Sequence, residues 1–246
     1  MSSSYETVAL PRLSQNAQDE QSLALATKFR ELRLKSLQTD PKAFGSSYEV
    51  EISRGLDQSI DRLSNPKAVV FVAIDTSNTS HLSPAGNELD RLLRVPWVGM
   101  VGLLGPQEGN SEHVSAKQDP YARMTASDDD SGRSDNKNDS ETSDELPWHY
   151  VLNGTYVSNE ARGHGLGRRL VSAAIDRAHD DARAGRRNLI CTVLVDDDNP
   201  RARTTYERCG FDYDGEEEYL QQPRKVLGET EPKLSTAVRM RLKRKM

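Results

Sequence analysis

The stretch Arg162-Gly163-His164-Gly165-Leu166-Gly167-Arg168 decides how the rest of the chain is read. It follows a strand-like run, Trp148 to Val157. It opens a segment in which Leu166, Leu170, Ala174, Ala178 and Ala182 recur at helical spacing as far as Gly185, a C′ cap by its position. Glycines at the start of a helix leave backbone N–H groups open to close approach, and the partial positive charge of the helix end adds to them. The junction therefore suits an anion such as phosphate. Strand-glycine-helix junctions also occur as plain tight connections, so the pattern alone leaves both readings open. It has no G-x-x-x-x-G-K-[ST], which excludes a Walker loop. Its glycines do not make the Rossmann G-x-G-x-x-G in a βαβ unit near the chain start.

About 30 residues further on, Val193-Leu194-Val195 ends another strand-like run. Asn199, Ala202, Tyr206, Gly210 and Phe211 then follow at the spacing N-x-x-A-x-x-x-Y-x-x-x-G-F. Together with Arg162-x-x-Gly165-x-Gly167, this resembles the GNAT superfamily of N-acetyltransferases, which use acetyl-CoA. The amino-terminal phrase Asp40-Pro41-Lys42-Ala43-Phe44-Gly45-Ser46-Ser47-Tyr48-Glu49 adds to the likeness. The resemblance covers most of the chain and excludes the segment from Pro106 to Glu145.

The resemblance implies a set of roles. Backbone amides of Arg162, Gly163, His164, Gly165, Leu166 and Gly167, with Arg168 next, would bind the CoA pyrophosphate. Tyr156 and Val157 would bond the pantetheine arm along an open strand edge, and the Val157 N–H would polarise the acetyl carbonyl as an oxyanion donor. Asn199 would touch the pantetheine or help splay two strands, and Tyr206 would protonate the departing thiolate. No metal is implied. The partners would be acetyl-CoA and an amine acceptor, either a small molecule or a protein amine, with no nucleic acid and no membrane. The rival reading is a non-catalytic CoA-binding sensor or interaction module, with the acidic insertion as its partner-binding segment.

Read by themselves, several of these residues have plainer uses. Tyr206 on a short helix can be a packing residue, His164 an exposed turn residue, and Asn199 the N-cap ahead of Pro200. Asp196-Asp197-Asp198 reads as a solvated loop, since three successive acids lack a metal site's geometry. An attacking ammonium must also lose a proton, and Glu160, His149, Tyr150 and Asp196 all lie near the expected strand ends. No spacing singles one out. One departure from the family pattern is Val157-Ser158-Asn159-Glu160, where many members carry proline after the strand.

The full chain has 246 residues, 35% hydrophobic and 29% charged, at a mean hydropathy of -0.74. The polarity is concentrated. Between Pro106 and Glu145 stand eleven acidic and four basic residues and no Leu, Ile, Phe or Trp, a local charge of −7 that leaves the remainder at +2. We expect a single domain over 1–246 carrying an acidic, disordered insertion at 106–145. Two cysteines, Cys191 and Cys209, provide no disulfide framework. The amino terminus shows neither the basic nor the apolar region of a signal peptide. The longest apolar run, Ala68 to Ile74, is short of the ~18 to 20 residues of a membrane span. The expected setting is the cytoplasm or the nucleus.

The remaining periodicities predict strands over Glu6–Leu13, Lys67–Asp75, Val95–Leu104, Asn188–Val195, Phe211–Leu220 and Ala237–Leu242. They predict helices over Gln21–Leu37 and Ser47–Leu63, and a long hairpin across Thr76–Glu88. The fold class expected is α/β, with a mixed, largely antiparallel sheet flanked by helices, the GNAT-like acyl-CoA N-acyltransferase fold. The two amino-terminal helices and the connection from Gln221 to Lys233 would line the acceptor pocket.

Overall fold

The structure, a computed structural model, describes residues 5–15, 17–77, 87–107 and 146–245. Strand β1 (Tyr5–Ala9) leads to the long helix α1 (Glu20–Thr39) and the short helices α2 (Tyr48–Ser53) and α3 (Asp57–Ser64). Then come β2 (Ala68–Asp75), α4 (Glu88–Arg94), β3 (Trp97–Gln107), β4 (Trp148–Val157), α5 (Leu166–Ala184), β5 (Leu189–Asp196), α6 (Pro200–Glu207), β6 (Asp212–Gln221) and β7 (Lys233–Arg244). The seven strands form one sheet in the order β1-β2-β3-β4-β5-β7-β6. Every neighbouring pair is antiparallel except β4 and β5, whose parallel pairing needs the crossover through α5. The expected fold class is met.

Each face of the sheet is covered by the helix whose apolar stripe matches it. Asp19 caps α1, accepting from the Ser22 N–H at 2.9 Å, and hydrogen bonds from the Ser22 side chain and then its N–H hold the Asp19 carboxyl below the usual range. Leu25, Phe29, Leu32 and Leu37 then pack with Val70, Val72, Ile74 and Met100. Across the sheet, Leu166, Leu170, Ala174 and Ala178 of α5 pack on Val101, Leu103, Leu152, Cys191 and Val193. Fully burying one such Leu contributes about 1.5–3 kcal/mol, which makes these two stripes the main attachment of helix to sheet.

Four local expectations are corrected. The Ser47–Leu63 helix is two helices, broken at Arg54–Leu56, where Gly55 turns through φ 72°. The β2–β3 connection contains α4, capped by Asn87, whose side chain accepts from the Leu89 N–H at 3.2 Å. Gly185 keeps φ -81°, and Arg186 takes the left-handed turn at φ 55°. Glycine is required at 185 because a Cβ there would stand 2.6 Å from the Trp148 ring. Finally, β3 runs through Pro106 and Gln107, which pairs with His149, so the insertion does not begin at Pro106. The expectation of disorder beyond it concerns 108–145, outside the described residues. Among those residues no helix is long and apolar enough to cross a membrane, and no cluster of three ligating side chains could hold a metal ion.

Candidate active site

Strands β4 and β5 pair from Trp148–Leu189 to Leu152–Val193 and then part. Beyond that point β4 continues through Val157 and β5 through Asp196, so a wedge opens between them in the middle of the sheet. A cleft of about 860 Å³ follows this wedge. It is bounded on one side by the glycine turn, Asn199 and Tyr206, and on the other by Arg33, Asp40, Phe44, Tyr219 and Asp196.

The wedge leaves backbone groups without a strand partner. The Ser158 N–H donates to the Val98 carbonyl at 2.8 Å, and the Tyr156 carbonyl faces β3, 2.8 Å from where a Cβ on Gly99 would stand. Peptide groups alternate along a strand, so the Val157 N–H and carbonyl face the open edge. Arg162 confirms that direction: its Nε donates to the Val157 carbonyl at 2.9 Å, while Nη2 donates to Asp40 at 2.6 Å. Tyr156 lines the cleft, but its carbonyl faces β3 rather than the open edge, and its side chain is buried with the hydroxyl 3.0 Å from Thr39 Oγ1 at the end of α1.

The turn beside this edge has the form expected of an anion site. Gly163 and Gly165 take φ 85° and 71°, and Gly165 stands at the N-cap of α5, so no side chain caps the helix. The first N–H groups of α5 therefore meet the cleft with the helix dipole behind them. Gly163, Gly165, Leu166, Gly167 and Arg168 line it. His164 turns away: its Nδ1 is 3.3 Å from the Ala161 carbonyl and its ring meets Tyr5 edge-on at 5.3 Å. Asn199 is the N-cap of α6, accepting from the Ala202 N–H at 3.1 Å, and still lies on the cleft wall. The capping and lining roles coexist.

Tyr206 is 5% exposed, and its hydroxyl donates to Thr155 Oγ1 at 2.9 Å. Burial pushes its pKa up to about 12, against the bond to Thr155, which lowers it. At neutral pH it holds its proton. Of the four carboxylates and rings near the strand ends, three lie off the cleft lining. Glu160 pairs with Lys35 at 2.8 Å, His149 sits at the far end of β4, and Tyr150 is buried in the core with α5. Asp196 lines the cleft.

The amino-terminal helices and the Gln221–Lys233 connection were expected on the side opposite the glycine turn, but the sequence did not reveal which of their side chains meet there. Arg62 and Glu51 form a buried ion pair, with Arg33 Nε 3.8 Å from the same carboxylate and its guanidinium 4.7 Å from the Phe44 ring. Asp196 accepts from the Tyr219 hydroxyl at 3.1 Å and lies 3.4 Å from Arg224 Nη2. Of these residues only Asp196 was singled out individually by its place near a strand end.

The comparisons agree with this geometry. The model of the acetyltransferase (GNAT) family matches residues 125–211. NAA60 of Arabidopsis thaliana, solved with a bisubstrate analogue, superposes with a TM-score of 0.55 at 12% identity, over 97% of this chain and 99% of that one. Spermidine N-acetyltransferase from Vibrio cholerae, solved with CoA and spermine, gives 0.52 at 13% identity, over 97% and 95%. A putative acetyltransferase from Acinetobacter baylyi gives 0.53 at 10%, over 98% and 94%. No curated protein sequence matches the chain. The GNAT family model thus matches residues 125–211, and the chain takes the fold of these solved structures.

Proposed function

We propose that the protein is an N-acetyltransferase that moves acetyl from acetyl-CoA to a primary amine by direct attack in a ternary complex. The carrying observation is that one cleft gathers an uncapped helix N-terminus, an open strand edge and a buried, protonated phenol. These suit the pyrophosphate, the pantetheine amides and the leaving thiolate of a CoA thioester, in that order along the wedge. NAA60 was solved with acetyl-CoA and the Vibrio enzyme with CoA, which supports the same co-substrate here.

In this reading the amides from Arg162 to Gly167, with Arg168, hold the pyrophosphate. The Val157 N–H donates to the acetyl oxygen, where negative charge develops as the amine attacks. Arg162 keeps that edge aligned through the Val157 carbonyl. Tyr206 gives its proton to the departing sulfur, and Asn199 holds α6 so that the phenol reaches the wedge.

Thermal shift separates acetyl-CoA and CoA from ATP and NADH, because a ligand that binds only the folded state raises its stability, by about 2.7 kcal/mol at a hundredfold excess over Kd. We expect the CoA pair to stabilise and the others not to. Response to ATP or NADH alone overturns the assignment. Thiol release from acetyl-CoA with peptides bearing a free N-terminus, Nα-acetyl-lysine or spermidine then tests transfer. Binding without release from any of them favours a CoA-binding module over an enzyme.

A further inference from the structure

We propose that Asp196 is the base that takes the proton from the attacking amine, and that Tyr219 and Arg224 are the residues that position it. The inference rests on the acetyltransferase reading and concerns the step that reading left without a residue. Asp196 ends β5, three residues past the last position at which β5 pairs with β4, so its carboxylate stands on the wall of the wedge. Its neighbours Asp197 and Asp198 are exposed, as loop acids usually are. Asp196 is not.

Two side chains converge on one of its oxygens. Tyr219 of β6 donates to Oδ2 at 3.1 Å. Arg224, 1% exposed in the β6–β7 connection, lies 3.4 Å from the same oxygen and donates to the Phe44 carbonyl at 3.0 Å. Gln221 Nε2 reaches that carbonyl at 3.4 Å. The carboxylate is thereby fixed between the loop after α1 and the loop after β6. A solvated acid has no use for such a frame, whereas a base must hold its oxygen where the ammonium arrives. The other cleft carboxylate, Asp40, is taken up by Arg162 at 2.6 Å, on the arginine that also holds the Val157 carbonyl.

The charges around Asp196 favour a proton acceptor. Burial and the like charge of Asp198 raise its pKa, while Tyr219 and Arg224 lower it, and the net direction is upward. Asp197 faces Arg203 at 3.7 Å, and Glu229 accepts from the Arg224 N–H at 3.0 Å. The proton count closes. An ammonium nitrogen sheds two protons as the N–C bond forms and the C–S bond breaks. One leaves through Asp196 to solvent, and the other replaces the proton that Tyr206 gives to sulfur.

The test is the pH profile of acetyl transfer with whichever of the three amine probes is consumed, in the unaltered protein, Asp196→Asn and Tyr219→Phe. Asp196→Asn is expected to lower kcat about 10²-fold or more and to abolish the acid limb, with acetyl-CoA binding by thermal shift retained. Tyr219→Phe removes a hydrogen bond to the charged carboxylate, so the acid limb must move to higher pH. A tyrosine that served packing alone would leave the limb in place, and this variant carries the test if the Asn variant does not fold. An acid limb unchanged in both variants overturns the role of Asp196 alone. No thiol release by the unaltered protein with any probe overturns the acetyltransferase reading and this inference with it.

Discussion

The two walls of the cleft are built by different means. The wall from Val157 to Tyr206 works mostly through backbone: a strand edge, two glycines at positive φ and an uncapped helix, supplied by one stretch of the chain. The opposite wall works through side chains that reach across long sequence separations, as Arg224 does in donating to the Phe44 carbonyl 180 residues away. A CoA thioester presents the same phosphates and amides in every enzyme that uses it, so conformation suffices to receive it. An acceptor varies, and only side chains can follow that variation.

The sharpest way to break this comparison is to alter the side chain that the backbone wall contributes to the chemistry. Tyr206→Phe keeps the ring against Phe211 and deletes the hydroxyl bonded to Thr155. Single-turnover acetyl transfer should fall about 10²- to 10⁴-fold, in kcat and kcat/KM alike, with acetyl-CoA affinity nearly unchanged. An unchanged chemical rate would make Tyr206 a packing residue. With its pKa near 12, Tyr206 stays protonated through the physiological range, so any alkaline limb well below pH 12 must belong to another group.

Gly165→Asp attacks the backbone itself. Nothing stands within 4 Å of a Cβ at this position, so the cost comes from φ 71° and from a carboxylate placed where phosphate would approach. Acetyl-CoA binding, read by calorimetry, should weaken at least tenfold. Gly165→Ala, which adds strain without charge, should lose less. Equal losses in the two variants would mean that conformation alone is being measured.

How much of each wall could be read in the sequence follows from the same contrast. Gly163, Gly165 and Asn199-Pro200 write local conformation into adjacent residues, so the glycine turn, the α6 cap and the seven strands were all legible. The strand alternation of Val238, Met240 and Leu242 was legible for the same reason. Helix α4 was missed because seven residues allow barely two turns of periodicity, of which only Leu92 is buried. The break in the expected Ser47–Leu63 helix lay at Gly55, and Ile52 just before it is 43% exposed. The frame around Asp196 carries no local signal. Arg224 becomes a buried guanidinium only when β6, β7 and the loop at Phe44 are assembled.

A smaller effect tests whether the walls are independent. Arg162 is the contact that spans them, with Asp40 at the end of α1 on one side and the Val157 carbonyl on the other. Its side chain is 39% exposed and that of Asp40 24%, so solvent screens the pair to about 0.2–1 kcal/mol. Asp40→Asn should therefore change acetyl-CoA affinity by no more than a few-fold. Arg162→Met also frees the open strand edge and should cost more. If the two substitutions have equal effects, and the double variant is no worse than either, the ion pair alone accounts for Arg162.

The smallest expected effect concerns residues that belong to neither wall. The segment 108–145 is poor in apolar side chains and joins β3 to β4, whose ends already stand paired at Gln107 and His149. The pairing that forms the wedge lies along β4 and β5, and the acidic sequence supplies little apolar area for packing against them. Shortening such a connection changes the entropy of loop closure only slowly with length, by about 0.6 kcal/mol per halving. Replacing 110–143 by a short Gly/Ser bridge should leave the unfolding temperature within a few degrees and acetyl transfer within about twofold. Two-state thermal unfolding and the thiol-release assay read both quantities. Loss of cooperative unfolding would show that the segment contributes to the core. A retained fold with a large change in KM for the amine alone would show that it belongs to the acceptor wall, which would then be built from three stretches of chain.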